Sequence, residues 1–173
     1  MAGPYERRPE VYHFHPAVLV VTVGLAVFLQ AALPLYLPFQ TLFSLLELPL
    51  LVVVYFGFSR RNPSTGLLLG LTIGLLQDAL SYTPLGLYGM AKTLVGYVAS
   101  SLSSRVDTDR AQPRLLLLFG FYFFHQFIYA LEQRLLLDQP AAFVGLPVLE
   151  GALVNALLGV LVFHFLDRFR RST

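Results

Sequence analysis

The sequence contains no cysteine, which excludes disulfide bonds and thiolate chemistry. It is also poor in charge: 13% of its 173 residues are Asp, Glu, Lys or Arg, about half of the roughly 25% typical of a soluble domain. Phosphate-binding glycine loops, nucleophile elbows and paired-histidine metalloprotease motifs are absent as well. The low charge argues against a soluble globule, and the missing motifs predict a protein that is not an enzyme and has no metal or cofactor.

What the sequence does contain is apolar: 56% of its residues are hydrophobic, and its mean hydropathy is +0.67. Apolar windows of about 17 to 25 residues, the length that crosses a bilayer, recur along the whole chain. We predict an all-α integral membrane protein, a single domain over 1–173 with a polar tail at 1–15. Its six transmembrane helices are predicted at 17–33, 42–58, 64–80, 87–104, 114–137 and 146–167.

Proline and asparagine mark several of the predicted boundaries. Pro34 and Pro38 are expected to end the first span, and Asn62 followed by Pro63 is typical of a helix cap and a first helical residue. The sequence Pro84-Leu85-Gly86 predicts the turn between the third and fourth spans. Pro49 falls inside the second span, where we expect a kink or a late helix start.

Basic residues fall in alternate loops of the six-span arrangement. Ten of the twelve Lys and Arg residues lie on one side: Arg7, Arg8, Arg60, Arg61, Arg105, Arg110, Arg114, Arg168, Arg170 and Arg171. The other three loops contain none. By the positive-inside rule, both termini are expected in the cytoplasm. The net charge of +2 largely reflects this topology, and it is too small to suggest nucleic-acid binding.

Ionisable residues in or beside the spans are all predicted in the outer half: Glu47, Asp78, Lys92, Glu132, Arg134 and Glu150. A charge at the bilayer centre costs about 2.5 to 3.5 kcal/mol, so such side chains usually face the bundle interior. We predict an interhelical polar network in which Asp78 and Lys92 pair across the turn, directly or through Gln77 or Tyr88. The alternatives are a pair that only locks the hairpin, and side chains that reach the outer headgroups.

The fifth span carries polar side chains at three- and four-residue spacing, which places them along one side of a helix. They are Tyr122, His125, Gln126, Tyr129, Glu132 and Gln133. This stripe is expected to line a small polar cavity or to meet a partner's transmembrane helix. Its Gln126, Tyr129 and Glu132 are predicted members of the polar network, together with Glu47, Lys92 and Glu150. His164 and Asp167 are interpreted as a pair at the end of the sixth helix. No histidine or carboxylate spacing indicates a metal site.

Small residues recur every four positions on three of the predicted helices, a spacing that permits close helix approach. The third helix has Gly66, Gly70 and Gly74; the fourth has Gly96, Ser100 and Ser104; the sixth has Gly151, Asn155 and Gly159. Packing within the chain is favoured over a dimer face. The residues thus predict a six-helix membrane bundle with an outer-half polar network, suited to binding a partner or a small ligand.

The segment 66–102, GLLLGLTIGLLQDALSYTPLGLYGMAKTLVGYVASSL, resembles the signature region of the bacterial rod shape-determining protein MreD family. In that family a glycine-spaced helix ends near an aspartate, a Pro-Leu-Gly turn follows, and the next helix contains Leu-x-Gly-Tyr. Asp78, Pro84, Gly86, Gly96 and Tyr97 occupy those places. The resemblance implies that these residues are motif positions and candidate partner-binding residues.

The resemblance also implies a non-catalytic subunit of the elongation machinery in the bacterial inner membrane, which helps direct sidewall peptidoglycan synthesis and rod shape. Its implied partners are MreC, RodA, a class B penicillin-binding protein and MreB. The implied fold is similar to the six-helix substrate-binding subunits of energy-coupling-factor transporters. The competing function is such a subunit itself, binding a vitamin-type solute in a closed outward-facing cavity, whereas an MreD function predicts a lateral groove for the transmembrane helix of MreC.

Overall fold

A computed structural model of the protein describes residues 15–36, 45–106, 110–140 and 145–169. All regular elements in these ranges are helices, which confirms the predicted fold class at this level. They are α1 (Pro16–Tyr36), α2 (Leu48–Arg60), α3 (Pro63–Ser81), α4 (Leu87–Leu102), α5 (Ala111–Leu136) and α6 (Leu146–Asp167). The N-terminal tail through residue 14, the predicted start of the second span at 42–44 and the terminal arginines used for topology lie outside the described residues.

Four of the helices, α1, α3, α5 and α6, are long and apolar enough to cross a membrane by length and composition. The other two are shorter: α2 has 13 residues and α4 has 16. At 1.5 Å per residue α2 is roughly 20 Å long, less than the roughly 30 Å thickness of a bilayer's hydrocarbon core. The helices at the second and fourth predicted spans, 42–58 and 87–104, are therefore shorter than predicted.

The helix starts follow local chemistry. The Asn62 side chain accepts hydrogen bonds from the N–H groups of Ser64 and Thr65, and Pro63 is the first residue of α3, as predicted. Helix α2 begins at Leu48, so Pro49 lies in its first turn, where its missing N–H removes no hydrogen bond within the helix.

Pro34 does not end the first helix, contrary to the prediction, and Pro38 lies outside the described residues. Helix α1 continues through Pro34 to Tyr36. A proline so close to the end of a helix removes one backbone hydrogen bond but leaves few further turns to disrupt. The boundary at residue 33 was therefore placed three residues too early.

Helix α2 is the centre of the bundle and contacts each of the other five helices. All eleven residues from Pro49 to Ser59 are buried. A helix that is apolar on all sides is stable only when it is surrounded. The short α2 is therefore a core element enclosed by the longer helices.

The α3–α4 hairpin has the most extensive helix contact in the described residues. Gly66, Gly70 and Gly74 of α3 lie directly against the α4 backbone, at Gly96, Lys92 and Tyr88 respectively. On α6, Gly151 lies under the Tyr122 hydroxyl and Gly159 lies between Leu118 and Leu51. These small residues lie at helix contacts within the chain, while Ser104 is exposed.

Helices α1 and α6 both pack on α2, but in the described part of the chain no Cα atom of one lies within 8 Å of a Cα atom of the other. The gap between them is a lateral groove of about 390 Å³. Its walls include Leu25 and Leu29 from α1 and Leu161 and Phe165 from α6, and its floor is formed by Leu48 and Val52 of α2. The bundle is thus open along one side.

Candidate functional site

A buried ion pair lies between α4 and the residue that precedes α2. The Lys92 ammonium is 3.0 Å from Oε2 of Glu47, and the exposed fractions of the two side chains are 0% and 9%. Gln77 of α3 donates to the same Glu47 oxygen over 3.3 Å. Side chains from two helices, α3 and α4, therefore converge on one carboxylate just before α2.

His125 of α5 joins this pair, since its Nε2 lies 3.1 Å from Lys92 Nζ. An ammonium group only donates hydrogen bonds, so Nε2 accepts and Nδ1 carries the ring hydrogen. Neither that Nδ1 nor Oε1 of Gln77 has a hydrogen-bond partner among the described residues, although both atoms are buried. The network is thus buried, and two of its polar atoms lack hydrogen-bond partners.

An aromatic ring packs against the lysine, and further rings stack beside it. Lys92 Nζ lies 4.4 Å from the centroid of the Tyr88 ring, a distance at which the ring face attracts a cation. Tyr88 also stacks on Tyr129, with centroids 4.7 Å apart, and lies parallel to His125 at 6.0 Å. These rings exclude water and so strengthen the electrostatic attraction between Lys92 and Glu47.

Lys92 therefore pairs directly with Glu47 and not with Asp78, so the direct form of the predicted Asp78–Lys92 pair was wrong. Tyr88, one of the two predicted intermediaries, does contact both residues, through its backbone N–H to Asp78 and its ring to Lys92. Both carboxylates are close to Lys92 in the fold, but the Asp78 oxygens are already occupied by the turn that follows α3. The Asp78 carboxylate accepts from the Thr83 hydroxyl at 2.9 Å and from the backbone N–H groups of Gly86, Tyr88 and Gly89 at 2.9, 3.0 and 3.1 Å.

Asp78 thus holds the turn and the first residues of α4. Backbone N–H groups at a helix start have no partner within the helix, and a carboxylate satisfies them while also complementing the helix dipole. Gly86 has φ of +108°, a conformation that side-chain-bearing residues rarely adopt. Asp78 and Gly86 therefore act together in shaping the hairpin turn, and Pro84 and Leu85 between them are exposed.

We expect Asp78→Asn to destabilise the protein by about 2 kcal/mol. The amide keeps one acceptor oxygen but directs a donor at N–H groups that need an acceptor, which leaves at least one of them unpaired. The free energy of unfolding in bicelles measures this loss. Thr83→Ala, which removes one donor from the same carboxylate, serves as the milder control at about 1 kcal/mol; equal stability of Asp78→Asn and the unmodified protein would contradict this role.

The remaining predicted network residues are not part of this cluster. Gln126 donates to the Tyr122 hydroxyl at 2.9 Å, and Tyr129 belongs to the aromatic stack. Oε2 of Glu132 is buried without a hydrogen-bond partner in the described ranges, while Glu150 is exposed. Of the six predicted members, the structure brings Glu47 and Lys92 into direct contact and Tyr129 beside them.

Two motif residues have contrasting environments on α4. Gly96 is buried against α3, where its backbone lies close to that of Gly66. Tyr97, the next residue, is 47% exposed on the outer surface of the bundle. The motif therefore combines a packing position with a surface position one residue away.

The non-helical residues just before α2 are held by two side-chain amides that the sequence did not single out as a pair. From α1, Gln30 donates to the Leu46 carbonyl at 2.8 Å and accepts from the Leu48 N–H at 2.9 Å. From α6, Asn155 accepts from the Glu47 N–H at 2.8 Å and donates to the Leu45 carbonyl at 2.6 Å. Irregular backbone inside a membrane protein needs such partners.

A second ionic cluster lies at the end of the bundle where α2, α4 and α6 finish, here called the basic end after Arg60, Arg105 and Arg168. Arg114 pairs with Asp167 at 2.6 Å, and the Tyr55 hydroxyl donates to the same carboxylate at 3.2 Å. Asp167 thus joins α2, α5 and α6, in place of the predicted pairing with His164. The 53-residue separation hides this contact from local sequence patterns.

The described residues contain no group of three His, Cys, Asp or Glu side chains placed to hold a metal ion. The Glu47–Lys92–His125 cluster holds α4 and α5 to the residue that precedes α2. The apolar groove between α1 and α6 can accept a hydrophobic partner. The fold thus offers a fixed polar centre beside an open apolar surface.

Comparison with known proteins gives one informative match. The sequence model of the family described as rod shape-determining protein MreD matches residues 13–169, which is nearly the whole chain and includes every helix described above. No curated protein and no solved structure matches the chain. The match extends well beyond the motif segment, and the chain belongs to the MreD family of rod shape-determining membrane proteins.

Proposed function

We propose that the chain is a non-catalytic scaffold subunit of the bacterial rod complex, which binds MreC and helps direct sidewall peptidoglycan synthesis. Membership of the MreD family supports the role in cell shape. The observation that carries the MreC proposal is the open side of the bundle, where α1 and α6 pack on α2 while their Cα atoms stay more than 8 Å apart.

The groove suits an apolar helix that approaches from within the membrane. It opens sideways, and leucine, valine and phenylalanine side chains dominate its lining. Helices associate in lipid chiefly through close packing, and a concave surface between two helices offers more contact area than a convex one. The single transmembrane helix of MreC is the occupant we propose.

The orientation of the chain is part of the same proposal. Arg60, Arg105, Arg110 and Arg168 all lie at or beyond the helix ends that form the basic end, and positive residues favour the cytoplasmic side. Both termini are then cytoplasmic, in the inner membrane, with RodA, a class B penicillin-binding protein and MreB as further partners. The proposed overall similarity to energy-coupling-factor substrate-binding subunits is consistent with six helices.

Filling the groove should displace MreC. Leu25→Trp and Leu161→Trp, at positions 55% and 66% exposed, are expected to reduce the MreC that co-purifies with the tagged chain by at least about tenfold, because losing one well-packed contact at an interface costs more than about 1.4 kcal/mol. The amounts are measured by quantitative mass spectrometry after mild solubilisation and gentle cross-linking of native membranes.

Leu116→Trp is the matched control, since Leu116 is 72% exposed on α5 and does not line the groove. It should leave the MreC yield unchanged. Equal MreC yields from all three variants would show that MreC does not bind in the groove. Recovery of energising ATPase subunits without MreC would overturn the scaffold function and favour the solute-binding subunit instead.

A further inference from the structure

Within the described part of the chain, three charged N–H donors at the basic end have no acceptor. They are Nε of Arg60 and Nε and Nη1 of Arg61, each shielded from solvent and without a hydrogen-bond partner in the described ranges. Arg114, at the same end, is paired with Asp167. A shielded donor without an acceptor costs free energy, more so when the group is charged, and such groups in native proteins often mark an ion or a water.

The position of the two arginines limits what can supply the acceptor. Arg60 is the last residue of α2, Arg61 follows in the left-handed conformation with φ of 52°, and α3 begins at Pro63. A two-residue connection keeps both guanidinium groups near the ends of the helices, at the level of lipid headgroups. The α2–α3 connection itself is too short to reach a soluble protein beyond the headgroups.

The first N–H groups of α3 are not free to bind a ligand, because the Asn62 side chain already accepts from Ser64 and Thr65. The groups that lack a hydrogen-bond acceptor are therefore the arginine side chains themselves. The start of α3 still contributes its positive dipole end, which favours an anion nearby.

We propose that Arg60 and Arg61, whose side chains are partly exposed, turn these shielded donors outward to bind the phosphate of an anionic phospholipid in the leaflet at the basic end. A phosphate offers several acceptor oxygens that match the planar donors of arginine, and basic sites between helices at the cytoplasmic face recognise anionic headgroups. On the orientation proposed above, this is the cytoplasmic leaflet. The site is separate from the groove and does not depend on MreC binding.

The test is a titration of the delipidated full chain in detergent with phosphatidylglycerol, with bound lipid counted by native mass spectrometry. Arg60→Gln combined with Arg61→Gln should weaken the first binding event by about 30-fold, since each basic residue near an anionic headgroup contributes about 1 kcal/mol. Arg105→Gln combined with Arg168→Gln is the matched control: it removes the same charge from exposed positions at the same end and should stay within about threefold, because exposed charges are screened.

Equal weakening in both double variants would overturn the proposal, as would lysine at positions 60 and 61 binding as tightly as arginine, since either result would mean simple charge attraction. Displacement of the lipid by inorganic phosphate at equal concentration would assign the site to free phosphate. Unchanged lipid binding by the Arg60→Gln, Arg61→Gln variant would show that the two arginines do not hold the lipid. If the Gln variant does not fold, photoreactive phosphatidylglycerol on the unmodified chain should label the α2–α3 connection and not residue 105.

Discussion

Lys92→Met is expected to destabilise the protein by about 3–5 kcal/mol, because it leaves the buried Glu47 carboxylate without its cation. Lys92 is the only lysine in the chain, its side chain is fully buried, and its ammonium contacts Glu47, His125 and the ring of Tyr88. The free energy of unfolding in bicelles measures the loss. Leu94→Met, at an exposed position on the same helix, is the control for a methionine in α4.

Removing both charges should restore most of that stability. Glu47→Gln combined with Lys92→Met leaves two neutral side chains of similar shape, and replacing a buried ion pair by neutral groups is often nearly neutral in free energy. A double-mutant cycle then reports a coupling of more than about 1 kcal/mol between the two positions. Additive losses would show that Lys92 and Glu47 act independently, contrary to the observed contact.

Much of the helical framework could be predicted because its causes are local. Apolar windows located all six helices, and the predicted sixth span has the same bounds as α6. Asn62 and Pro63 marked the start of α3, because a cap needs only side-chain and backbone groups within three residues. The predicted end of the first helix at Pro34 was wrong, because the free-energy cost of a proline in a helix depends on how many turns follow it.

The partners of the buried charges could not be predicted in the same way. Asp78 and Lys92 have opposite charges on adjacent antiparallel helices, which made their pairing plausible, yet Lys92 contacts a residue 45 positions away. The Asp78 carboxylate instead accepts hydrogen bonds from backbone N–H groups of the turn that follows its own helix. A charge count identifies which side chains need partners, but competing backbone donors and the three-dimensional positions of the helices decide which partners they have.

The residues before α2 connect the two regions of interest. Glu47 forms the ion pair, and the next residue, Leu48, lines the groove. Gln30 of α1 and Asn155 of α6 fix this short segment from opposite sides. The two helices that border the groove are therefore joined through the same backbone that positions the buried carboxylate, an arrangement that a search for apolar spans does not reveal.

Gly70→Ala is expected to cost more than about 3 kcal/mol, or to prevent folding, because a Cβ at this position would overlap the backbone carbonyl of Lys92. Backbone cannot move aside as a flexible side chain can, so α3 and α4 would have to separate. Gly74→Ala should behave similarly, since its Cβ would meet the carbonyl of Tyr88. The measurement is the yield of monodisperse protein, followed by the free energy of unfolding of whatever folds.

Gly120 and Gly24 provide the contrast within the same chain, because a Cβ at either position meets nothing within 4 Å. Alanine has a helix propensity about 1 kcal/mol more favourable than glycine, so Gly120→Ala should be neutral or stabilising while Gly70→Ala is destructive. Stability changes of opposite sign at Gly120 and Gly70 would show that close packing, and not a general need for glycine in these helices, explains the loss at Gly70. Normal folding of Gly70→Ala and Gly74→Ala would show that α3 and α4 do not require glycine contacts, and losses at all four positions would point to backbone flexibility as the reason for the glycines.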